Sequence, residues 1–363
     1  ILYSSTGFTY QSADEPRNKE VIDREDLDAV VMGAHNEFEA IVRLLNYASR
    51  RWVYAGPRLE YPKWNAVDIA ERAHSFGDGG MCIQHAAFLV HILTVMGYQA
   101  RHVNIIAHEV VEVWSDDFDK WVYLDPTQGV DCYLYDTRTG IPLSLDEMHK
   151  AYYTLYGVNK PIDWMVPTAD WYTLERDYSR LPISMSTTDP RIMLRHEKNG
   201  MLLYYDLCAF LRMMPRNNFS TTSIPEPLQQ GNYCPWPWDG YINWYDQLAP
   251  PKLQYSNHTD RVCDFWPTLN RVRFEAVPEV NGDAVFMRMI TFTPSFKTFQ
   301  VKIDDNDWVD SDEHYTWRLH EGKNRLEMRA VTRFGVTGNP SFIECNVVSK
   351  PIPKPVGIGT MNQ

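Results

Sequence analysis

The sequence has no apolar run of membrane-spanning length, few cysteines and no excess of positive charge. A helix needs about 20 mostly apolar residues to cross a bilayer, so a membrane span is not expected. The 47 acidic residues outnumber the 35 Lys and Arg residues, and the net charge of −12 argues against a general nucleic-acid binder, which needs a basic face. Six cysteines in 363 residues are too few and too scattered for a disulfide scaffold. The composition is that of a globular protein long enough for two domains.

The most informative feature of the chain is Cys82, which opens an apolar segment, residues 82–96, just after Gly79 and Gly80. This segment predicts a helix whose apolar residues surround the axis, so it should be buried on most sides and end at Gly97. A cysteine in the first turn experiences the positive end of the helix dipole, which favours the thiolate. The two glycines should let a substrate carbonyl approach backbone N–H groups that form one half of an oxyanion site.

Two predicted strands, residues 107–114 and 120–125, follow this helix and alternate apolar with polar positions. A short polar turn joins them, which predicts a β-hairpin. In antiparallel pairing the start of the first strand lies opposite the end of the second, which places His108 beside Asp125. The carboxylate would orient the imidazole, and the imidazole would take the proton of the Cys82 thiol. This order of groups predicts a cysteine-dependent acyl-transfer enzyme.

The segments around these three residues form a set of motifs. They are Gly80-Met81-Cys82, Gly97-Tyr98-Gln99-Ala100-Arg101-His102-Val103, Ala107-His108-Glu109-Val110 and Trp121-Val122-Tyr123-Leu124-Asp125-Pro126-Thr127. As a group they resemble the core of the transglutaminase-like superfamily, which includes transglutaminases, peptide N-glycanases, and bacterial and archaeal proteases or isopeptidases. The sequence departs from this pattern at Glu109, where many members have a small or aromatic residue.

By this resemblance, Cys82 is the nucleophile, His108 is the base and Asp125 orients the base. The resemblance implies an α+β, papain-like catalytic core that requires no metal and no organic cofactor. It also implies a cysteine hydrolase, protease or acyltransferase, in which one thioester intermediate passes its acyl group to water or to an amine. The expected substrate is a peptide, a protein or a glycoconjugate.

Other interpretations of these residues remain open. A cysteine at a helix start is often only a small buried residue, and a lone histidine on a strand is often structural. The spacing from Cys82 to His85 is typical of zinc ligands, although the sequence has no second pair of this kind and zinc would occupy the thiolate. Two further possibilities are a carbohydrate- or partner-binding protein on the same core, and a sugar-active enzyme that uses histidine and carboxylates.

Several side chains are predicted to line the substrate site beside the triad: Gln84, His85 and Glu109. The proline-rich stretch 224–251 also carries many Trp and Tyr residues. These aromatic residues are predicted mainly to seal the interface between domains, because large aromatic side chains dominate interface energetics. Trp236 and Trp238 are in addition candidates for stacking on a sugar ring or clamping a peptide.

The region before Cys82 predicts an arm and two helices. Residues 1–35 are polar and predict an irregular arm that lies on the core. Asn36 and Glu39 form a capping-box pattern that opens a helix through about Val53. A second, shorter helix should begin at Asn65, and both helices should pack against the helix that Cys82 opens.

From about residue 270 the pattern becomes all-β. Residues 299–303, 315–319 and 326–330 alternate apolar with polar side chains, which predicts the strands of a β-sandwich. This part resembles the Ig-like or fibronectin-like modules appended to bacterial extracellular enzymes, so an extracellular or periplasmic location is expected. The predicted division of the chain is 1–222 for the catalytic domain with its N-terminal arm, 223–268 for a proline- and aromatic-rich linker, 269–349 for the Ig-like sandwich and 350–363 for a tail.

Overall fold

The computed structural model describes residues 7–55, 63, 65–75, 79–105, 108–156, 183–188, 208, 211–221, 241–246, 257–280 and 282–348. The chain divides into two compact units. The first comprises Ile1–Leu269 with Arg333–Val336, and the second comprises Asn270–Thr332 with Thr337–Gln363.

The first unit mixes helices and strands, whereas the described part of the second unit is built of strands. The helices are α1 (Pro16–Glu25), α2 (Leu27–Val31), α3 (Glu37–Arg50), α4 (Ala66–Ser75), α5 (Cys82–Val95), α6 (Leu145–Tyr156) and α7 (Val262–Phe265). The strands of the first unit are β1 (Ala100–Ile105), β2 (His108–Ser115), β3 (Lys120–Leu124), β4 (Tyr133–Asp136), β5 (Ile183–Ser186), β6 (Leu211–Met213), β7 (Ile242–Trp244) and β8 (His258–Thr259). Those of the second unit are β9 (Val272–Pro278), β10 (Ala284–Thr291), β11 (Phe296–Ile303), β12 (Val309–Ser311), β13 (His314–Arg318), β14 (Gly322–Thr332) and β15 (Ser341–Val347).

The N-terminal segment is helical where the sequence predicted an irregular arm. α1 begins with Pro16, whose fixed φ suits a first helical position, and the Glu15 carboxylate accepts a hydrogen bond from the Arg17 N–H. Val21 of α1 and Leu27 of α2 are buried in the main core. Few apolar residues are needed to anchor such short helices, so their sequence has a polar appearance.

The two helices predicted before Cys82 are present, with different ends. Asn36 Oδ1 accepts the Glu39 N–H at 2.8 Å and caps α3. The reciprocal half of the predicted capping box does not form, because the Glu39 carboxylate accepts the His35 N–H at 2.9 Å instead. α3 ends at Arg50 rather than near Val53. α4 is capped by Asn65 Oδ1, which accepts the Asp68 N–H at 2.8 Å.

A six-stranded sheet in the order β3-β2-β1-β6-β7-β8 lies at the centre of the first unit. Neighbouring strands are antiparallel except β7 and β8, which run parallel. One face, with Val111 and Val113, packs into the cluster that contains α5, and the other face, with Val110 and Trp114, packs into a second cluster. The residues of α5 after Cys82 are all buried, as its all-round apolar pattern predicts.

Part of the stretch predicted as a linker belongs to the first unit. β7 extends the central sheet beside β6, and β8 follows it. Trp244 is buried and lies edge-on against Trp266, with 4.8 Å between ring centroids. Of the described aromatic residues of this stretch, Tyr241 and Trp244 are both buried in the hydrophobic clusters of the first unit. The division of the chain at 223–268 stays a prediction.

A buried ion pair on the central sheet joins β1 to β2. Arg101 Nη2 lies 2.6 Å from Glu112 Oε2, and the two side chains are 1% and 0% exposed. The other carboxylate oxygen, Glu112 Oε1, accepts the Leu145 N–H at 2.8 Å. The Arg101 guanidinium also lies over the Trp121 ring, 4.1 Å from its centroid. Each charge therefore depends on the other for its stability in the interior.

Replacing Glu112 with Gln should destabilise the protein by about 3–5 kcal/mol, because the Arg101 charge would remain buried without its partner. Urea unfolding followed by tryptophan fluorescence measures this loss. The matched control is Lys19→Gln, which breaks an ion pair with Asp23 whose side chains are 80% and 59% exposed. Its effect on stability should be much smaller, because solvent screens an exposed ion pair. Equal unfolding midpoints for the two variants would contradict the prediction.

The second unit has two antiparallel sheets that share one hydrophobic cluster. Their strand orders are β13-β10-β9 and β12-β11-β14-β15. Met287 and Trp317 of the first sheet meet Val301 and Met328 of the second in this cluster, and the Trp317 side chain is fully buried. The strands predicted from alternation within residues 299–330 are present as β11, β13 and β14.

Candidate active site

Cys82 is the first residue of α5, and both ends of this helix are well defined. The N–H of Met81 donates to Gln84 Oε1 at 2.8 Å, which satisfies a backbone group at the helix start. At the other end Gly97 has a φ of +94°, a conformation that glycine adopts without strain. The half-buried Cys82 thiol therefore lies at the positive end of a 14-residue helix.

The chain segment after α3 runs directly against the loop that leads to Cys82. The Ala55 N–H donates to the Gly80 carbonyl at 3.0 Å. A Cβ atom at Gly80 would lie 2.3 Å from Trp52 Nε1, and one at Gly79 would lie 2.6 Å from the Ala55 Cβ. These distances leave no space for a side chain at either glycine. Contacts within the protein's own chain therefore require the two glycines, and the approach of a substrate carbonyl beside them stays a prediction.

The hairpin of β2 and β3 brings His108 and Asp125 together. Val111 pairs with Leu124 in the antiparallel hairpin. Asp125 therefore lies opposite the residue just before Val111, two positions along β2 from His108. His108 Nε2 lies 2.8 Å from Asp125 Oδ2. The other carboxylate oxygen, Oδ1, accepts the Thr127 N–H at 2.9 Å and the Thr127 hydroxyl at 2.6 Å. With Nε2 directed at Asp125, the ring nitrogen left for the Cys82 thiol is Nδ1.

The electrostatics of these three groups favour a thiolate beside an imidazolium. Burial alone would raise the pKa of the Cys82 thiol, but the hydrogen bond and charge of His108 and the Glu109 backbone N–H bring that pKa below its usual value. Burial would likewise lower the pKa of His108, yet the Asp125 carboxylate and the Cys82 thiol raise it to about 10. Burial alone would raise the pKa of Asp125. Its contacts with His108 and Thr127 outweigh the effect of burial, so this pKa is lowered.

The side chains predicted to line the substrate site are buried in the structure. Gln84, His85 and Glu109 are 0%, 1% and 3% exposed. Gln84 caps α5, and Glu109 Oε1 accepts a hydrogen bond from Asn104 Nδ2 at 2.8 Å. Burial lowers the pKa of His85 to about 4, so its ring is neutral at pH 7. Their part in substrate binding stays a prediction. Trp236 and Trp238, the other two candidates, lie outside the described residues, as does the predicted tail 350–363.

Two aromatic residues near Cys82 were missed by the sequence analysis. Trp52 Nε1 is buried and has no hydrogen-bond partner among the described residues, and its ring lies 4.6 Å from that of His85. Tyr54 is 56% exposed, and its hydroxyl contacts both the thiol and the backbone N–H of Cys82. Partial burial, followed by the charge of Cys82, raises the pKa of Tyr54 to about 12. The sequence signal was only an aromatic pair just after α3, and no spacing relates it to Cys82.

Replacing Tyr54 with Phe should speed alkylation of Cys82 by roughly 3- to 10-fold at a pH where the thiolate is fully formed, because one hydrogen bond that occupies the thiol is lost. The rate of iodoacetamide labelling, followed by intact mass, measures the change. Tyr47→Phe is the matched control, since the Tyr47 hydroxyl donates to Glu25 instead. Slower labelling of Tyr54→Phe than of the control would show that the hydroxyl assists the thiolate.

The segment that contains this site matches a known family. Residues 26–126 match the sequence model of the transglutaminase-like superfamily. This range extends from α2 through β3 and includes Cys82, His108 and Asp125. The superfamily generally includes cysteine-dependent hydrolases and acyltransferases. No match to the chain was found among curated proteins.

The structure also bears on the zinc interpretation and on membrane spans. Within the described residues, no three His, Cys, Asp or Glu side chains are grouped so that they could hold a metal ion. The His85 ring lies against Trp52 and 6.2 Å from the Tyr54 ring. As for membrane spans, none of the helices in the described part of the chain is long and apolar enough to cross a bilayer.

Proposed function

We propose that the protein is a cysteine-dependent acyl-transfer enzyme that cleaves an amide, peptide or isopeptide bond through a thioester on Cys82. The observation that carries this proposal is the His108–Asp125 contact of 2.8 Å beside a thiol whose pKa is lowered. A nucleophile, a base in contact with it and a carboxylate that orients the base are the parts that such chemistry requires. The superfamily match supports the same class of reaction.

In the first half-reaction the Cys82 sulfur attacks the substrate carbonyl carbon, and the carbonyl electron pair moves onto oxygen. The oxyanion then re-forms the carbonyl as the carbon–nitrogen bond breaks, and the His108 imidazolium gives its proton to the departing amine. The candidate donor to the oxyanion is the backbone N–H of Cys82 at the helix N-terminus, which the Tyr54 hydroxyl must leave for this purpose. The Trp52 indole N–H, buried beside Gly80 without a partner among the described residues, is the candidate second donor.

In the second half-reaction the neutral His108 takes a proton from water or from an incoming amine as that group attacks the thioester carbonyl. The carbon–sulfur bond breaks, and the Cys82 thiolate and the His108 imidazolium are restored. Both outcomes use the same residues. The acceptor present in the site therefore decides between hydrolysis and transfer.

The test is to incubate the protein with amide, peptide, isopeptide and glycopeptide acyl donors, with and without a primary amine. Acid quenching and intact mass should reveal an acyl adduct on Cys82, and product analysis separates hydrolysis from transfer. An electrophile at neutral pH should label Cys82 before Cys132 and Cys345, because burial raises the pKa of both other thiols. Preferential labelling of another cysteine, together with no adduct from any donor, would overturn the proposal.

We further propose that the second unit is a β-sandwich accessory domain of the Ig-like or fibronectin-like kind, on a protein located outside the cytoplasm. Two sheets with one shared cluster support the sandwich, since each sheet needs a partner to bury its apolar face. The triad residues all belong to the first unit. The second unit is therefore expected to act on substrate positioning or stability rather than on bond chemistry.

A further inference from the structure

The peptide group between His108 and Glu109 is held by Asn104, which lies on the neighbouring strand. Asn104 of β1 pairs with Glu109 of β2. Asn104 Nδ2 donates to the His108 carbonyl at 3.1 Å and to Glu109 Oε1 at 2.8 Å. One amide group thus fixes both the backbone and the side chain at the start of β2.

A buried arginine lies on the other side of Asn104. Asn104 pairs in register with Arg212 of β6, and Arg212 Nε donates to Asn104 Oδ1 at 2.9 Å. The Arg212 side chain is buried and its guanidinium lies over the Tyr241 ring, 5.3 Å from the centroid. A cation that donates to an amide oxygen makes the N–H groups of that amide better donors, because hydrogen bonds in a chain polarise one another.

The opposite end of the same peptide group faces the nucleophile. The His108 carbonyl accepts from Asn104. The N–H of Glu109, which belongs to the same peptide group, helps to lower the pKa of the Cys82 thiol. Donation to the carbonyl strengthens the peptide dipole, whose positive end is this N–H. The groups therefore form one directed chain from Arg212 through Asn104 and the 108–109 peptide to Cys82.

We propose that Asn104 and Arg212 are positioning residues that stabilise the Cys82 thiolate through the 108–109 peptide group. The inference rests on the proposed function for its relevance to turnover, but it concerns the thiol itself. Neither residue touches the sulfur or the substrate. Their effect reaches the sulfur through a backbone N–H, which every substitution at position 109 except proline retains.

The test is the pH dependence of Cys82 alkylation by iodoacetamide, without substrate. Replacing Asn104 with Ala should raise the midpoint pH of Cys82 alkylation by roughly one unit. Labelling of Cys82 at pH 7 should then be about tenfold slower. Arg212→Gln keeps a donor but loses the charge, so it should shift the midpoint in the same direction by a smaller amount. The titratable side chains that act on Cys82, namely Tyr54, His108, Glu109 and Asp125, are kept in both variants. Asn104 and Arg212 each lower the pKa of Glu109, so both variants raise that pKa.

The matched control is Asn243→Ser, which removes a buried asparagine from the same sheet. Its Nδ2 donates to the Asn257 carbonyl, away from the 108–109 peptide. Circular dichroism checks that each variant is folded, and Arg212→Gln keeps the test decisive if Asn104→Ala unfolds. Folded variants whose midpoints equal that of Asn243→Ser would overturn the inference. Turnover of the unmodified protein is measured separately, so loss of the relay and loss of the proposed function are distinguishable outcomes.

Discussion

Cys82→Ala should abolish turnover, with a loss of at least roughly three orders of magnitude in kcat, while the protein remains folded. The sulfur is the atom that forms the covalent bond in the proposed reaction, and no neighbouring group can replace it. The side chain is half-buried at a helix start, so its removal leaves only a small gap. Steady-state assay on the best acyl donor and circular dichroism measure the two expectations.

Cys345→Ala is the matched control for this substitution. Cys345 is also a half-buried cysteine, but it lies on β15 in the second unit and burial raises its pKa. Its replacement should leave kcat within about twofold, as expected for a residue that takes no part in the proposed bond chemistry. Retained activity in Cys82→Ala would contradict the mechanism, whatever the result for Cys345→Ala.

Asp125→Asn should reduce kcat by roughly 10³- to 10⁴-fold, because the amide cannot stabilise the His108 imidazolium and favours the wrong tautomer. The sign of the pH effect follows from the contacts. Asp125 raises the pKa of His108, so its neutralisation lowers that pKa and depopulates the imidazolium at neutral pH. The thiolate of Cys82 then loses its counter-charge, and its alkylation midpoint moves upward.

The control for Asp125→Asn is Asp136→Asn, in which a half-buried aspartate paired with the exposed Arg138 is neutralised. It should leave both kcat and the alkylation midpoint unchanged. The kcat values and the alkylation midpoints of the two variants are compared at matched temperature and salt. A variant of Asp125 that keeps more than about a tenth of wild-type kcat would remove the carboxylate from the mechanism.

Local patterns were sufficient to predict α5 and the hairpin. The apolar run after Cys82 allows little but a buried helix, and the short turn before Lys120 restricts the pairing of β2 with β3. Once that register exists, His108 and Asp125 must lie near each other. These features depend on residues that are close in sequence, which is why single-sequence reasoning reached them.

The rest of the site depends on contacts between distant parts of the chain. Arg212 reaches Asn104 across 108 positions in sequence, and no spacing or motif relates the two residues. The position of Trp52 beside Gly80 follows from how α3 packs against α5. The helices of residues 16–31 were missed for a related reason, since only a few buried side chains hold them to the core.

The close approach of residues 52–55 to Gly80 has a mechanical consequence for the proposed reaction. Tyr54 belongs to the strip of chain that is hydrogen-bonded to the loop carrying the nucleophile, through the Ala55 N–H and the Gly80 carbonyl. A ligand that displaces the backbone at Tyr54 would pull on this hydrogen bond, two residues from Cys82. We therefore expect a bulky acyl donor to change the alignment of the sulfur more than a small alkylating reagent does.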